Sequence, residues 1–258
     1  MAKPKIHIGT SGWSYKHWKE VFYPPKLKTT LWFDYYAQFF DSSEINTSFY
    51  HLPKEQTVIN WASKAPPGFS FCPKLSRFIT HMKKLRDVKE PLQRFFDVFA
   101  PLEKHMGPVL VQLPPMLHFR SEVAKEFFEE LKVYKKNQFV LEVRHDSWLT
   151  EESFALMRKY KIGFVISQSH HFFPYAEQVT ARNIYVRFHG PGKLYASGYT
   201  NDMLNYYTRK FKKWMEDGYT IWAYFNNDIN GYAFRDAMRL AEKMGVKKTG
   251  KDDILTGS

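Results

Sequence analysis

The sequence predicts a single α/β domain folded as a (β/α)8 barrel of the TIM type, and three observations predict it. Eight short, apolar, β-rich runs alternate with stretches of helical periodicity, a pattern that implies parallel βαβ units. The 258 residues match the length of about 250 that one closed barrel of eight such units takes. Polar residues gather at the C-terminal ends of the runs, where barrels of this type build their sites. Eight parallel units could also form an open doubly wound sheet, but count and length favour closure.

The elements follow in order. The first run, Ile6–Thr10, leads through a long loop (Ser11–Thr29) to an amphipathic stretch, Leu31–Phe40. The second, Ser43–Asn46, precedes a helix over Gln56–Ala65 that Pro66, Pro67 and Gly68 terminate. The third, Phe69–Lys74, is followed by a basic loop and a helix over Val88–Met106. Gly107 and Pro108 open the fourth, Val109–Gln112, and Pro114 and Pro115 stop it. Ser121 is placed as N-cap of a helix over Glu122–Tyr134. The fifth strand, Phe139–Val143, precedes a helix that opens on Thr150, Glu151 and Glu152 and runs to Tyr160. The sixth, Ile162–Ser167, is followed by Gln168–Ala181, too short and too rich in His, Phe and Pro for a regular helix. The seventh, Asn183–Phe188, precedes a helix from Asp202 to Glu216, which Gly218 breaks before the eighth, Thr220–Phe225. A last helix covers Gly231–Gly245. The barrel is therefore expected over residues 1–245, with an irregular sixth crossover and a flexible tail over 246–258.

Composition narrows the class. Hydrophobic residues make up 44% and aromatic residues 18%, ample for a large core. Cys72 is the only cysteine, so an internal disulfide and a thiolate metal cluster are both excluded. Met1–Thr10 has no long apolar stretch, and no run approaches the roughly 18 apolar residues of a membrane span. A cytoplasmic protein without a membrane partner is expected. The net charge of +12 points to an anionic partner, unless it is only a solvated basic exterior. The lysines are spread along the chain rather than packed into one arm.

Side chains alternate across a strand, so residues two apart share a face. Glu44 and Asn46 share one face, as do Glu142 and Arg144, and Arg187 and His189. Ile45, Val143 and Phe188 between them would point outward under the helices. The polar members would then face the barrel axis, where an unpaired charge costs several kcal/mol and calls for a partner or a ligand. Lys74, Gln112, Asn226 and Asp228 fall at the ends of the third, fourth and eighth strands and complete the rim.

These segments are also recognisable as a set. Gly9 to Tyr15, Glu44 to Tyr50 with Pro53, Phe71 to Lys74 with Thr80 and His81, Val111 to Pro115, Glu142 to Trp148, Tyr185 to Gly190, and Tyr224 to Asp228 together resemble the YecE-like family, domain of unknown function seventy-two. The resemblance runs from Ile8 to Met244. It implies a TIM-barrel fold and supplies no settled reaction.

Three functional readings compete. The first is an enzyme on a small phosphorylated or carboxylated substrate, its class left open among hydrolase, lyase and isomerase. Lys74, Arg144 and Arg187 supply positive charge. Asn46, Gln112, Asn226, Asp228, Tyr15 and Trp13 complete the substrate site. Gly190, Gly192 and Lys193 form a turn after the seventh strand whose N–H groups could meet a phosphate. General acid–base work falls to Glu44, Glu142 or His189, with Glu142 and His189 favoured as the pair. The second reading is a metal-dependent hydrolase or phosphodiesterase with Glu44, Glu142, His189 and Asp228 as ligands to a divalent metal, against which the neighbouring cations weigh. The third is a nucleic-acid-binding barrel that uses the basic stretch Lys74–Lys89 and the mouth aromatics. No other cofactor is expected, because Gly9 and Gly12 have the wrong spacing for a dinucleotide turn. The sequence does not give the oligomeric state.

Overall fold

The computed structural model describes residues 5–246. The expected tail, 246–258, lies outside the described residues apart from Val246. Eight strands form one parallel sheet: β1 (Ile6–Thr10), β2 (Ser42–Ile45), β3 (Ser70–Pro73), β4 (Val109–Gln112), β5 (Phe139–Glu142), β6 (Gly163–Gln168), β7 (Asn183–Phe188) and β8 (Thr220–Phe225). Their order is β3-β2-β1-β8-β7-β6-β5-β4, so the strands next to each other in space follow the chain around a ring.

The ring closes between β3 and β4 through a thin seam. Phe71 O accepts from Gly107 N, and Leu75 N donates to Leu110 O, each at 2.8 Å. Residues 71 and 75 therefore turn their backbone groups towards β4. Pro73 lies between them on the same side and has no N–H to offer, which explains why the ladder is interrupted at this seam.

Strand alternation separates two cores, as the sequence pattern requires. Cys72, Leu110, Val140, Val165, Tyr185, Trp222 and Tyr224 form a cluster inside the ring. Ile45, Val143, Phe188 and their outward neighbours belong to the larger cluster under the helices. Below the inner cluster, His7 stacks on Trp222 with ring centroids 4.0 Å apart and plugs the N-terminal end. Glu44, Glu142 and Arg187 continue the inward series at the opposite end.

The helices are α1 (Trp32–Tyr36), α2 (Thr47–Tyr50), α3 (Glu55–Lys64), α4 (Lys89–Phe99), α5 (Ser121–Leu131), α6 (Glu151–Tyr160), α7 (Asn201–Glu216) and α8 (Tyr232–Lys243). Thr150 and Thr200 cap α6 and α7 by accepting from Ser153 N and Met203 N, each at 3.3 Å. Several expected bounds shift. The stretch expected over Leu31–Phe40 is α-helical only over Trp32–Tyr36. The helix expected to reach Met106 turns 3-10 at Ala100, because Pro101 cannot continue the ladder. α5 begins at Ser121 itself, with Arg120 in the cap position. As expected, no helix lies between β6 and β7. No described helix is long and apolar enough to cross a membrane.

Candidate functional site

Glu44, Glu142, Arg187 and His189 come from β2, β5, β7 and the residue after β7, and they meet at one end of the ring. All are at most 1% exposed. Arg187 donates from Nε to Glu44 Oε1, from Nη2 to Glu44 Oε2 and from Nη1 to Glu142 Oε2, each at 2.8 Å. Both carboxylates accept further hydrogen bonds. Glu44 accepts from Ser11 Oγ at 2.5 Å and Tyr185 OH at 2.9 Å. Glu142 Oε1 accepts from Ser167 Oγ at 2.8 Å, and from Arg144 Nη2 and His189 Nε2 at 2.9 Å. On the far side of the imidazole, Asn226 Nδ2 sits 3.1 Å from His189 Nδ1. An amide NH2 can only donate, so Nδ1 accepts and the proton of a neutral ring stays on Nε2, facing Glu142.

The electrostatics agree with this geometry. Burial resists ionisation of Glu44 and Glu142, but the guanidiniums outweigh it and hold Glu44 below, and Glu142 well below, the usual carboxylate value. Burial lowers His189 to about 4, with Arg187 and Arg144 adding to the effect, against the pull of Glu142. General acid–base work by these three groups needs neighbours that shift them towards neutrality. Their surroundings move them away from it, because each carboxylate faces cations and the imidazole is sealed from water.

Above this layer the strand ends and loops enclose a cavity of about 580 Å³. Lys74, Gln112, Arg144, Asn226 and Asp228 line it, together with Tyr15 and Asn46 from the first two strand ends. Lys74 is 8% exposed. Its Nζ donates to Gln112 Oε1 at 2.7 Å and lies 4.0 Å from the centroid of the Phe49 ring. Burial, helped by Arg187, lowers its ammonium to about 7. Arg144 stacks on Phe173, its guanidinium carbon 3.3 Å from the ring centroid, and its Nε is buried without a hydrogen-bond partner. Asp228 holds His17, with Nε2 3.7 Å from Oδ2, and burial raises its carboxyl.

The remaining sequence candidates are distributed differently. Trp13 lies beside the mouth in a neighbouring cavity. Gly190, Gly192 and Lys193 are not among the residues lining either cavity. Their N–H groups, expected to be open to a phosphate, are already satisfied. Gly190 N donates to Tyr199 OH at 3.1 Å, and Ser197 Oγ accepts from Gly192 N at 3.0 Å and Lys193 N at 2.9 Å. The turn is closed on itself. Glu44, Glu142, His189 and Asp228, the ligand set of the metal reading, do not form a metal cluster, and among the described residues no group of three or more His, Cys, Asp or Glu side chains is arranged to hold one. Arg187 occupies the space between the two glutamates.

Sequence reasoning missed Ser11, Ser167, Tyr185 and Phe173. The first three share the inward period of Gly9, Val165 and Arg187, so the same alternation could have found them. Phe173 sits in the aperiodic sixth crossover, where no such signal exists.

Comparison with known proteins fits this architecture. The family model described as "Protein of unknown function DUF72" matches residues 7–256. The UPF0759 protein YecE of Escherichia coli K12 is 29% identical over 155 residues, which is 57% of this chain and 51% of that protein. The chain thus spans about half the length of the curated relatives it matches. A DUF72 family protein from Thermotoga maritima MSB8 superposes with a TM-score of 0.83 at 27% identity, covering 93% of this chain and 99% of that one. A second, from Enterococcus faecalis V583, gives 0.82 at 18% identity over 94% and 96%, which shows the shared fold.

Proposed function

This chain belongs to the DUF72 family of proteins of unknown function, and we propose that its barrel mouth is an enzyme site where Lys74 moves a proton on a small phosphorylated or carboxylated molecule. One observation carries the reading. Lys74 is a buried cation whose hydrogen bond goes to a neutral amide and not to a carboxylate.

Counting charges explains why an anion fits. The carboxylates of Glu44 and Glu142 are matched by the guanidiniums of Arg187 and Arg144. The third carboxylate of the mouth, Asp228, faces His17, which leaves Lys74 a cation with no carboxylate in contact, and a buried charge without a paired counter-ion is unfavourable. A bound carboxylate or phosphate removes that penalty. The unpartnered Nε of Arg144 offers a second donor to the same anion.

An amine lowered to about 7 is present in both forms near neutrality, as general acid–base work needs. In this reading Glu142 and His189 exchange no proton with substrate. Glu142 stays ionised, His189 stays neutral, and together they hold the two arginines in place.

A thermal-shift screen of carboxylates, sugar phosphates and inorganic phosphate tests the reading, with each hit repeated on Lys74→Met. A hit should disappear in the variant and weaken as pH rises through about 7, where the amine loses its charge. A hit that survives Lys74→Met, or is flat with pH, overturns the assignment of Lys74. No stabilising anion at all overturns the substrate class.

A further inference from the structure

Beside the mouth lies a second cavity of about 680 Å³, within the 300–1,000 Å³ typical of small-molecule sites. Tyr15, Asn46 and Tyr50 line both cavities, so the two adjoin. They differ in chemistry. The mouth carries charged groups, Lys74, Arg144 and Asp228 among them. The annex is walled by Trp13, Phe33 and Trp61, with Trp13 set edge-on to Trp61 at 5.5 Å between centroids and tilted to Phe33 at 5.3 Å.

The charges at the annex are already neutralised. Lys64 Nζ pairs with Asp34 Oδ2 at 2.9 Å and bonds Thr30 O at 3.0 Å. Glu44, at its floor, is held by Arg187. What remains to greet a ligand is aromatic surface edged with neutral side chains, among them Thr29, Thr57 and Asn60. A second anion would find no partner there, whereas a flat neutral ring would cover the indoles.

Asn46, on the shared wall, supports an occupant that spans the junction. Its Nδ2 donates to Ser11 O at 2.8 Å and to Glu44 Oε2 at 3.3 Å, which fixes the amide orientation. Its Oδ1 is left buried without a hydrogen-bond partner. Buried polar atoms are rarely left so, and a donor on a ligand would satisfy it.

We infer that the annex is a second subsite adjoining the mouth, and that the substrate is an anion carrying a neutral, flat aromatic ring. The inference rests on the anion reading of the mouth and adds what the other half of the molecule must be. Proline- and glycine-free α3 carries both Thr57 and Trp61, so one wall of the annex is a rigid helix face.

Isothermal titration of the full chain with methyl phosphate and phenyl phosphate tests it, since the two monoesters share one charged group and differ in the ring. The expected result is that phenyl phosphate binds roughly tenfold tighter, about 1.4 kcal/mol. The ratio should collapse towards one in Trp61→Ala, which removes the wall, and in Thr57→Trp, which fills the annex and guards against misreading a folding defect. Equal affinities in the unaltered protein, or a ratio that persists in both variants, overturns the inference while leaving the anion reading intact. A ratio that collapses as expected, but with both affinities indifferent to Lys74→Met, supports the annex and overturns the role of Lys74. Binding of neither ester counts against both.

Discussion

Arg187 grips Glu44 with two parallel hydrogen bonds, Nε to Oε1 and Nη2 to Oε2, each 2.8 Å long. This is the fork geometry in which a guanidinium matches a carboxylate best. With its third bond, to Glu142, the same side chain ties β7 to both β2 and β5 across the inside of the ring. A buried ion pair is weak evidence for net stability, because desolvation opposes the attraction. Removing one partner is another matter. Arg187→Met would leave two buried carboxylates facing each other, and a loss of about 3–5 kcal/mol is expected in urea unfolding. Adding Glu44→Gln and Glu142→Gln should recover part of it. A loss below about 1 kcal/mol would mean that water reaches the site and that its burial is wrong.

Acid should unfold the protein in two overlapping steps. His189 titrates near 4 in the folded chain against an ordinary 6.5, so between those values the unfolded chain binds more protons. Stability is therefore full above 6.5 and falls as pH drops towards 4. Glu44 and Glu142 are also lowered, and their contribution, present above the ordinary carboxylate value, is lost at still lower pH. His189→Gln keeps an N–H for Glu142 but does not titrate. Denaturation measured from pH 7 to 4 should show a shallower slope in that variant, and an unchanged slope would place the buried proton-binding group elsewhere.

Lys74 acts in the same direction on the alkaline side. Its folded value is lowered to about 7 from an ordinary 10.5, so the unfolded chain holds the extra proton in between. Stability should rise with pH through that window. Lys74→Met removes the rise and, by replacing a buried ammonium with an apolar chain, should stabilise the protein at neutral pH. A functional group placed against stability is expected to behave this way. If Lys74→Met is less stable at pH 7, the ammonium has a counter-charge that the geometry does not provide.

These expectations separate what the chain declares from what only its folding reveals. The period of two at Glu44–Asn46, Glu142–Arg144 and Arg187–His189 was legible, and with the strand count it placed one charged rim before any contact was known. The protonation states were not legible. Whether Glu142 is a proton carrier or a fixed anion depends on how many donors reach it, and Ser167 and Arg187 arrive from β6 and β7 while Arg144 and His189 arrive from just beyond β5 and β7. The partners of the turn after β7 were hidden for a related reason. Glycines signal a backbone free to approach a ligand, but Ser197, four residues beyond Lys193, folds back and takes the same N–H groups. Trp61 gave no signal, because an aromatic on an amphipathic helix reads as core in any pattern.

A last prediction joins the barrel wall to the site. A Cβ added at Gly9 would lie 2.1 Å from the carbonyl oxygen of Ser42 and 3.0 Å from Tyr36 OH. That carbonyl belongs to β2, whose register against β1 pairs Gly9 with Ser42, so the obstacle is backbone that no rotamer change can clear. Tyr36 OH also donates to the same oxygen at 3.0 Å, which holds it in place. Gly9→Ala must therefore push β1 and β2 apart, an overpacking expected to lose about 1–3 kcal/mol or more. The displacement should reach the mouth, because Ser11, two residues further on the same face, bonds Glu44 while Asn46 bonds the Ser11 carbonyl. Weaker binding of any anion hit is thus expected alongside the lower unfolding free energy. A Gly9→Ala protein with unchanged stability would show that the two strands do not approach as closely as their register requires.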